Sequence, residues 1–271
     1  MNAAVLALLA ALVNQVLHEV THGVAAVLVG ARWRALNLFA SDHSWPGAAS
    51  ESGEYVIAGA AAIVNIVVGF VCVALFARPA LVTRPLARLF VLYLGAFSLF
   101  TGFGYLLFDP LFYAPGADLG DWRRIVSMLG GGWEVRIPLI ALGAAGVLFG
   151  FFWLAYSALK FDPRSNEPSH RSALALAVLM VPYLIVNTVF TVLSFGHPLG
   201  ADGTVLTVLQ YWLGNIGFFW GFFLAGYWLS VKAPPADPSP LPNEIDRRLV
   251  GLAALAFVAT VAVLLPTTTF A

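Results

Sequence analysis

One cysteine in 271 residues, Cys72 inside an apolar segment, excludes an intrachain disulfide and any cysteine-built metal cage. Charge is scarce too: 10% of the residues are Asp, Glu, Lys or Arg, against about a quarter in soluble domains. The 14 basic and 14 acidic residues cancel, which leaves no excess of either sign to attract nucleic acid or an acidic partner. No positively charged stretch precedes the first apolar run, and that run is too long for a secretory signal peptide, so it reads as part of the working protein. No Gly-rich phosphate loop, convincing repeat or soluble domain is visible.

What is abundant is apolar sequence. Sixty per cent of the residues are hydrophobic and the mean hydropathy is +0.86, values of an integral membrane protein whose surroundings are the lipid bilayer. Crossing about 30 Å of hydrocarbon takes roughly 20 helical residues. Apolar stretches of about that length fall at 3–29, 56–77, 86–108, 135–159, 172–194, 204–231 and 249–265. No ten-residue alternation of a barrel is present, and open sheet edges are not tolerated in lipid, so the spans are expected to be helices. The expected fold is therefore all-α, a polytopic membrane bundle of about seven transmembrane helices, multi-pass and placed in the cell membrane. Residues 31–55 are mixed in polarity, with a Trp45-Pro46-Gly47 turn signal between candidate short strands, and read as an interfacial hairpin-like segment. The proline-rich linkers 161–170 and 233–242 read as extended, solvated connections. Gly146 and Gly150, and Gly217 and Gly221, are small-xxx-small pairs read as helix packing; no feature sets an oligomeric state.

Within the first run stands His18-Glu19-Val20-Thr21-His22. Residues four apart share one helix face, so both imidazoles can aim at one Zn²⁺ while Glu19 lies beside it as general base. Composition alone predicts on the order of 0.002 such matches in this chain. Each ionisable group at membrane depth is costly, about 2.5–3.5 kcal/mol for a charged Asp, Lys or Arg at a helix centre, so a cluster of three marks a functional site. A catalytic zinc has three protein ligands as a rule. If the spans alternate, the end of the first helix and the loops 109–134 and 195–203 share one membrane face. The candidates there are Asp109, Asp118, Asp121 and Asp202; helix caps and turns are the competing use of each.

These residues resemble the site-2 protease class of intramembrane zinc metalloproteases, peptidase family M50. The resemblance covers about residues 1–130 and rests on Leu17-His-Glu-Val-Thr-His-Gly23, the hairpin-like segment, and a second helix carrying Gly59-Ala-Ala-Ala-Ile-Val-Asn65. It implies a catalytic core at 1–130; residues 131–271, which the resemblance does not reach, are expected to form an accessory bundle of about four helices. The family's usual third-ligand motif does not follow the third span. Tyr105-Leu-Leu-Phe108, then Leu119-Gly-Asp-Trp122, looks most like the compact M50B-like branch, which implies Asp121 as the third ligand, with Asp118 second and Asp202 third. Asn65 is carried over as a substrate-binding position, against an interhelical hydrogen bond.

The implied activity is peptide hydrolysis on membrane-embedded proteins or peptides. Zinc lowers the pKa of its water and polarises the carbonyl, Glu19 moves the proton, and the hairpin offers an edge to an unwound substrate strand. The alternative is a nonproteolytic metal-binding membrane protein, a transporter, chaperone or pseudoprotease using the same histidines; such a site has no need of Glu19. Orientation divides the arguments. Nine Lys or Arg residues lie on the N-terminal side of the spans and five on the other, which favours a cytoplasmic N-terminus, whereas the resemblance implies the reverse. The charge tally is preferred because most of these residues sit near span ends.

Overall fold

The computed structural model describes residues 1–116, 120–161, 168–228, 238–242 and 244–270, with main chain only at 168–170 and 227–228. It is an all-α polytopic bundle in which, among the described residues, seven helical stretches are long and apolar enough to cross a membrane. The protein is thus a multi-pass membrane protein. The first span is α1 (Asn2–Leu28), ended by Gly30 at φ 88°, a left-handed stop that lets the Ala31 amide reach back to the Ala26 carbonyl at 2.9 Å. After it come β1 (Arg32–Asn37) and β2 (Ala40–Ser44), antiparallel to each other.

The second span, α2 (Glu51–Phe76), starts on a Ser50 side-chain cap, so it begins five residues before the apolar run does. A short helix, α3 (Pro79–Val82), leads to the third span, α4 (Pro85–Leu111), the most buried of all. Helix α5 (Asp121–Met128) lies between the third and fourth spans and turns through Gly130 and Gly131, both at positive φ, into α6 (Trp133–Ala158). The fifth span joins α7 (Pro168–Ala175) to α8 (Val181–Leu193) through a π-helical turn, Leu176–Met180. Pro182 has no N–H to return to the Val178 carbonyl, and the Tyr93 hydroxyl donates to that carbonyl at 2.7 Å. The sixth span carries α9 (Gly200–Leu209), a π turn at Gln210–Gly214, α10 (Ile216–Phe223) and a second π turn at Leu224–Trp228. Last comes α11 (Arg247–Leu264), which turns Leu252, Leu255 and Val258 outward on the flank of the bundle, where lipid is their solvent.

One apolar core runs from Leu6 through Tyr93, Phe97 and Phe100 to Phe190 and Phe218, drawing on α1, α4, α8 and α10. The small-xxx-small glycines serve helix packing: a Cβ at Gly146 would strike the Phe103 ring, and one at Gly217 the Phe100 ring.

Three expectations need correction. The hairpin turn is Leu38-Phe39, and Trp45-Pro46-Gly47 follows β2. Asn37 makes that turn by accepting the Phe39 amide at 3.0 Å, while Leu38 and Phe39 are buried in the core and draw the loop inward. The sheet has a third strand, β3 (Thr268–Thr269), paired to β1 in the order β2-β1-β3. Finally, the described ends of the two linkers are packed against the protein: the Ser239 and Leu241 amides bond the Lys160 and Phe161 carbonyls, and Ser239 is buried. The remainder of those linkers, 162–167 and 233–237, lies outside the described residues.

Candidate metal centre

On α1 the four-residue spacing places His18 and His22 one above the other, their rings 5.0 Å apart. The Nε2 atoms of both lie 3.0 Å from the same oxygen, Oδ2 of Asp121, at the first position of α5. The three ligand atoms all fall within 4.8 Å of one another. Ligands about 2.0–2.2 Å from a tetrahedral zinc sit roughly 3.3 Å apart, close to the two spacings seen.

The other ring nitrogens decide what faces this point. Nδ1 of His22 meets the Ile57 carbonyl at 2.8 Å, an acceptor only, so that nitrogen carries the hydrogen. Nδ1 of His18 meets Oδ1 of Asn65 at 3.3 Å; the Asn65 amide donates in turn to Oδ1 of Asn14 at 2.6 Å, which also accepts from Ser98. Both Nε2 lone pairs therefore point at a carboxylate oxygen. Three converging acceptors repel one another unless a cation lies between them, so the donor set fits a divalent metal of the zinc kind.

Asp121 owes its place to Asp109, whose Oδ2 accepts the Trp122 amide at 2.9 Å and the Arg123 amide at 3.2 Å. Asp109 thus satisfies the first turn of α5 and is absent from the metal-facing group. Gly120 makes the approach possible: its φ is 124°, and a Cβ there would meet the Asp109 carboxylate oxygens at 3.0 Å. A second brace is Glu54, which accepts the Trp45 indole N–H at 2.6 Å and pairs with Arg124 of α5 at 2.8 Å. It ties hairpin, α2 and α5 together.

Glu19 is buried, and its Oε1 accepts from the Gln15 amide at 3.0 Å, while the Tyr211 hydroxyl donates to the Gln15 carbonyl oxygen at 3.0 Å. Tyr105 stacks on His18 with ring centres 5.0 Å apart.

Of the residues singled out from sequence, the structure brings together His18, His22 and Asp121, with Glu19 beside them on α1 and Asn65 behind His18. Asp202 stands exposed in the first turn of α9, away from the group, where its carboxylate suits the helix N-terminus. Asp118 lies outside the described residues. Sequence reasoning missed Asn14, Gln15 and Tyr211, and used Tyr105 only as part of the family resemblance. A signal existed for two of them: Asn14 and Gln15 precede His18 and Glu19 by one helical turn in an otherwise apolar run. None exists for Tyr211, which arrives from the sixth span.

Comparison with protein-family models, with curated proteins and with solved structures finds no match to this chain. The class that fold and site define is a multi-pass membrane helix bundle with a partly buried His-His-Asp grouping.

Proposed function

We propose that the chain is an intramembrane zinc metallopeptidase of the site-2 protease class, resident in the cell membrane and acting on membrane-embedded proteins or peptides. One observation carries the reading: two imidazole lone pairs and a carboxylate converge beside a buried glutamate that occupies the second position of H-E-x-x-H. His18, His22 and Asp121 would hold the metal. Zinc bound there supplies Lewis acidity toward water and the scissile carbonyl.

The chain's own residues do the rest. Glu19, oriented by Gln15, takes a proton from the attacking water and delivers it to the leaving amine. Asn65 and the Ile57 carbonyl keep the histidine tautomers correct, so Asn65 acts here as a positioning residue. Among the described residues β2 pairs only with β1, so its free edge is available to an unwound substrate strand.

The test separates binding from chemistry. Purified protein is expected to carry about one zinc per chain, lost in His18→Ala or His22→Ala and kept in Glu19→Gln. Wild type, and not Glu19→Gln, is expected to cleave a single-span membrane peptide in liposomes, and a chelator to stop it. Stoichiometric zinc in the double histidine variant rejects the site; equal cleavage by Glu19→Gln rejects the mechanism; zinc without any cleavage favours the nonproteolytic metal-binding alternative.

A further inference from the structure

Next to the metal-facing group lies a half-open, mainly apolar cavity of about 270 Å³, bordered by α1, α4, the start of α5 and the sixth span. Three of its walls are also supports of the candidate site. Tyr105 stacks on His18, Gly120 precedes Asp121, and Tyr211 holds Gln15 against Glu19. A group lodged in the cavity is thus one side chain away from His18.

The space is kept open by two glycines. Gly104 of α4 and Gly214 of the sixth span face each other: a Cβ at Gly104 would lie 3.9 Å from the Gly214 Cα, and one at Gly214 would have nothing within 4 Å. Any larger pair would fill the cavity from both sides. Size then narrows the occupant. An apolar cavity of ~150 Å³ takes benzene, so one of about 270 Å³ admits a phenyl or indole group and is left largely empty by a methyl.

We propose that this cavity is the specificity pocket of the enzyme, accepting the bulky apolar side chain, Leu, Phe or Trp, of a residue flanking the scissile bond. The proposal rests on the peptidase reading above. Its occupant is a peptide side chain because the walls are shared with the groups that hold His18, Asp121 and Glu19.

The experiment uses a library of single-span peptides, randomised at their central residues, in liposomes with zinc-loaded protein, the cut bonds being located by mass spectrometry. Wild type is expected to select Leu, Phe or Trp at one position beside the cut. Gly104→Leu and Gly214→Leu are each expected to lower the Phe-to-Ala ratio at that position roughly 10- to 200-fold, the range for about one methylene's worth of pocket. A Cβ at either glycine makes only ordinary contacts or none. Leu209→Ala, which enlarges the lining, is expected to move selection toward Trp and decides the matter if the leucine variants do not fold. Glu19-dependent cleavage with the same preference in all variants, or a preference for small residues, overturns the pocket and leaves a lipid acyl chain as its occupant. Absence of Glu19-dependent cleavage in wild type overturns the peptidase reading and the pocket with it.

Discussion

At Asp109 a single carboxylate oxygen accepts two amides at the head of α5, those of the two residues that follow Asp121. Replacing it with Ala removes that cap, at a cost of about 0.5–2 kcal/mol, and frees Asp121 to swing. Because groups that orient a ligand are worth about 10–100-fold in metal affinity, Asp109→Ala is expected to weaken zinc by that factor, measured by competition with a chromophoric chelator. Unchanged affinity would mean that α5 is held by Glu54 and Arg124 instead. His197 offers a second test. Its ring stacks on Phe39 and its Nδ1 accepts the Leu199 amide at 3.0 Å. Burial pushes its titration down against a smaller upward pull from a backbone hydrogen bond at Phe39. A depressed folded value means that the unfolded chain takes the proton first, so this stability is complete above about pH 6.5 and declines as pH falls below it. Wild type is expected to lose more Tm between about pH 7.5 and about pH 5 than His197→Phe does, read by thermal unfolding in detergent.

At the scale of elements, two of the π turns in the spans are tied to other helices by tyrosine hydroxyls. The π turn at Gln210–Gly214 carries Tyr211 to Gln15, and the turn at Leu176–Met180 sits over Tyr93. Tyr93→Phe leaves the Val178 carbonyl without its donor in a dry environment. The expected loss is about 0.6–2 kcal/mol, the range for interhelical hydrogen bonds in membranes, visible as a lower midpoint in detergent unfolding; no change would mean that the π turn finds another donor. These turns were not legible in the sequence. A proline such as Pro182 announces a break but not which neighbouring helix repairs it, and the hairpin shows the same limit: its turn follows from Asn37 and from two apolar residues drawn into the core, not from the nearest Pro-Gly.

Across the whole molecule, the exits of alternate spans meet on one face. Asp121 follows the third span and meets His22 of the first; His197 follows the fifth and stacks on the hairpin turn; β3 follows the seventh and pairs with β1. That convergence needs an odd number of crossings between the two chain ends, in accord with seven spans. On the charge tally that face points away from the cytoplasm. A reporter fused after Ala271 is therefore expected outside, and a cytoplasmic reading would reverse the orientation.

The sequence by itself determined the helical membrane class, because only long apolar helices satisfy their backbone in lipid, and it determined the His18-Glu19-His22 face, because helical geometry links residues four apart without help from the rest of the fold. Asp121 was reached from sequence only through a family resemblance, as one of several aspartates on the same side. Its meeting with the histidines, the tautomers set by Ile57 and Asn65, the hold of Tyr211 on Gln15 and the closure of β3 on β1 were decided by tertiary structure alone. Each joins residues from elements far apart in the chain, and no local periodicity records which elements pack together.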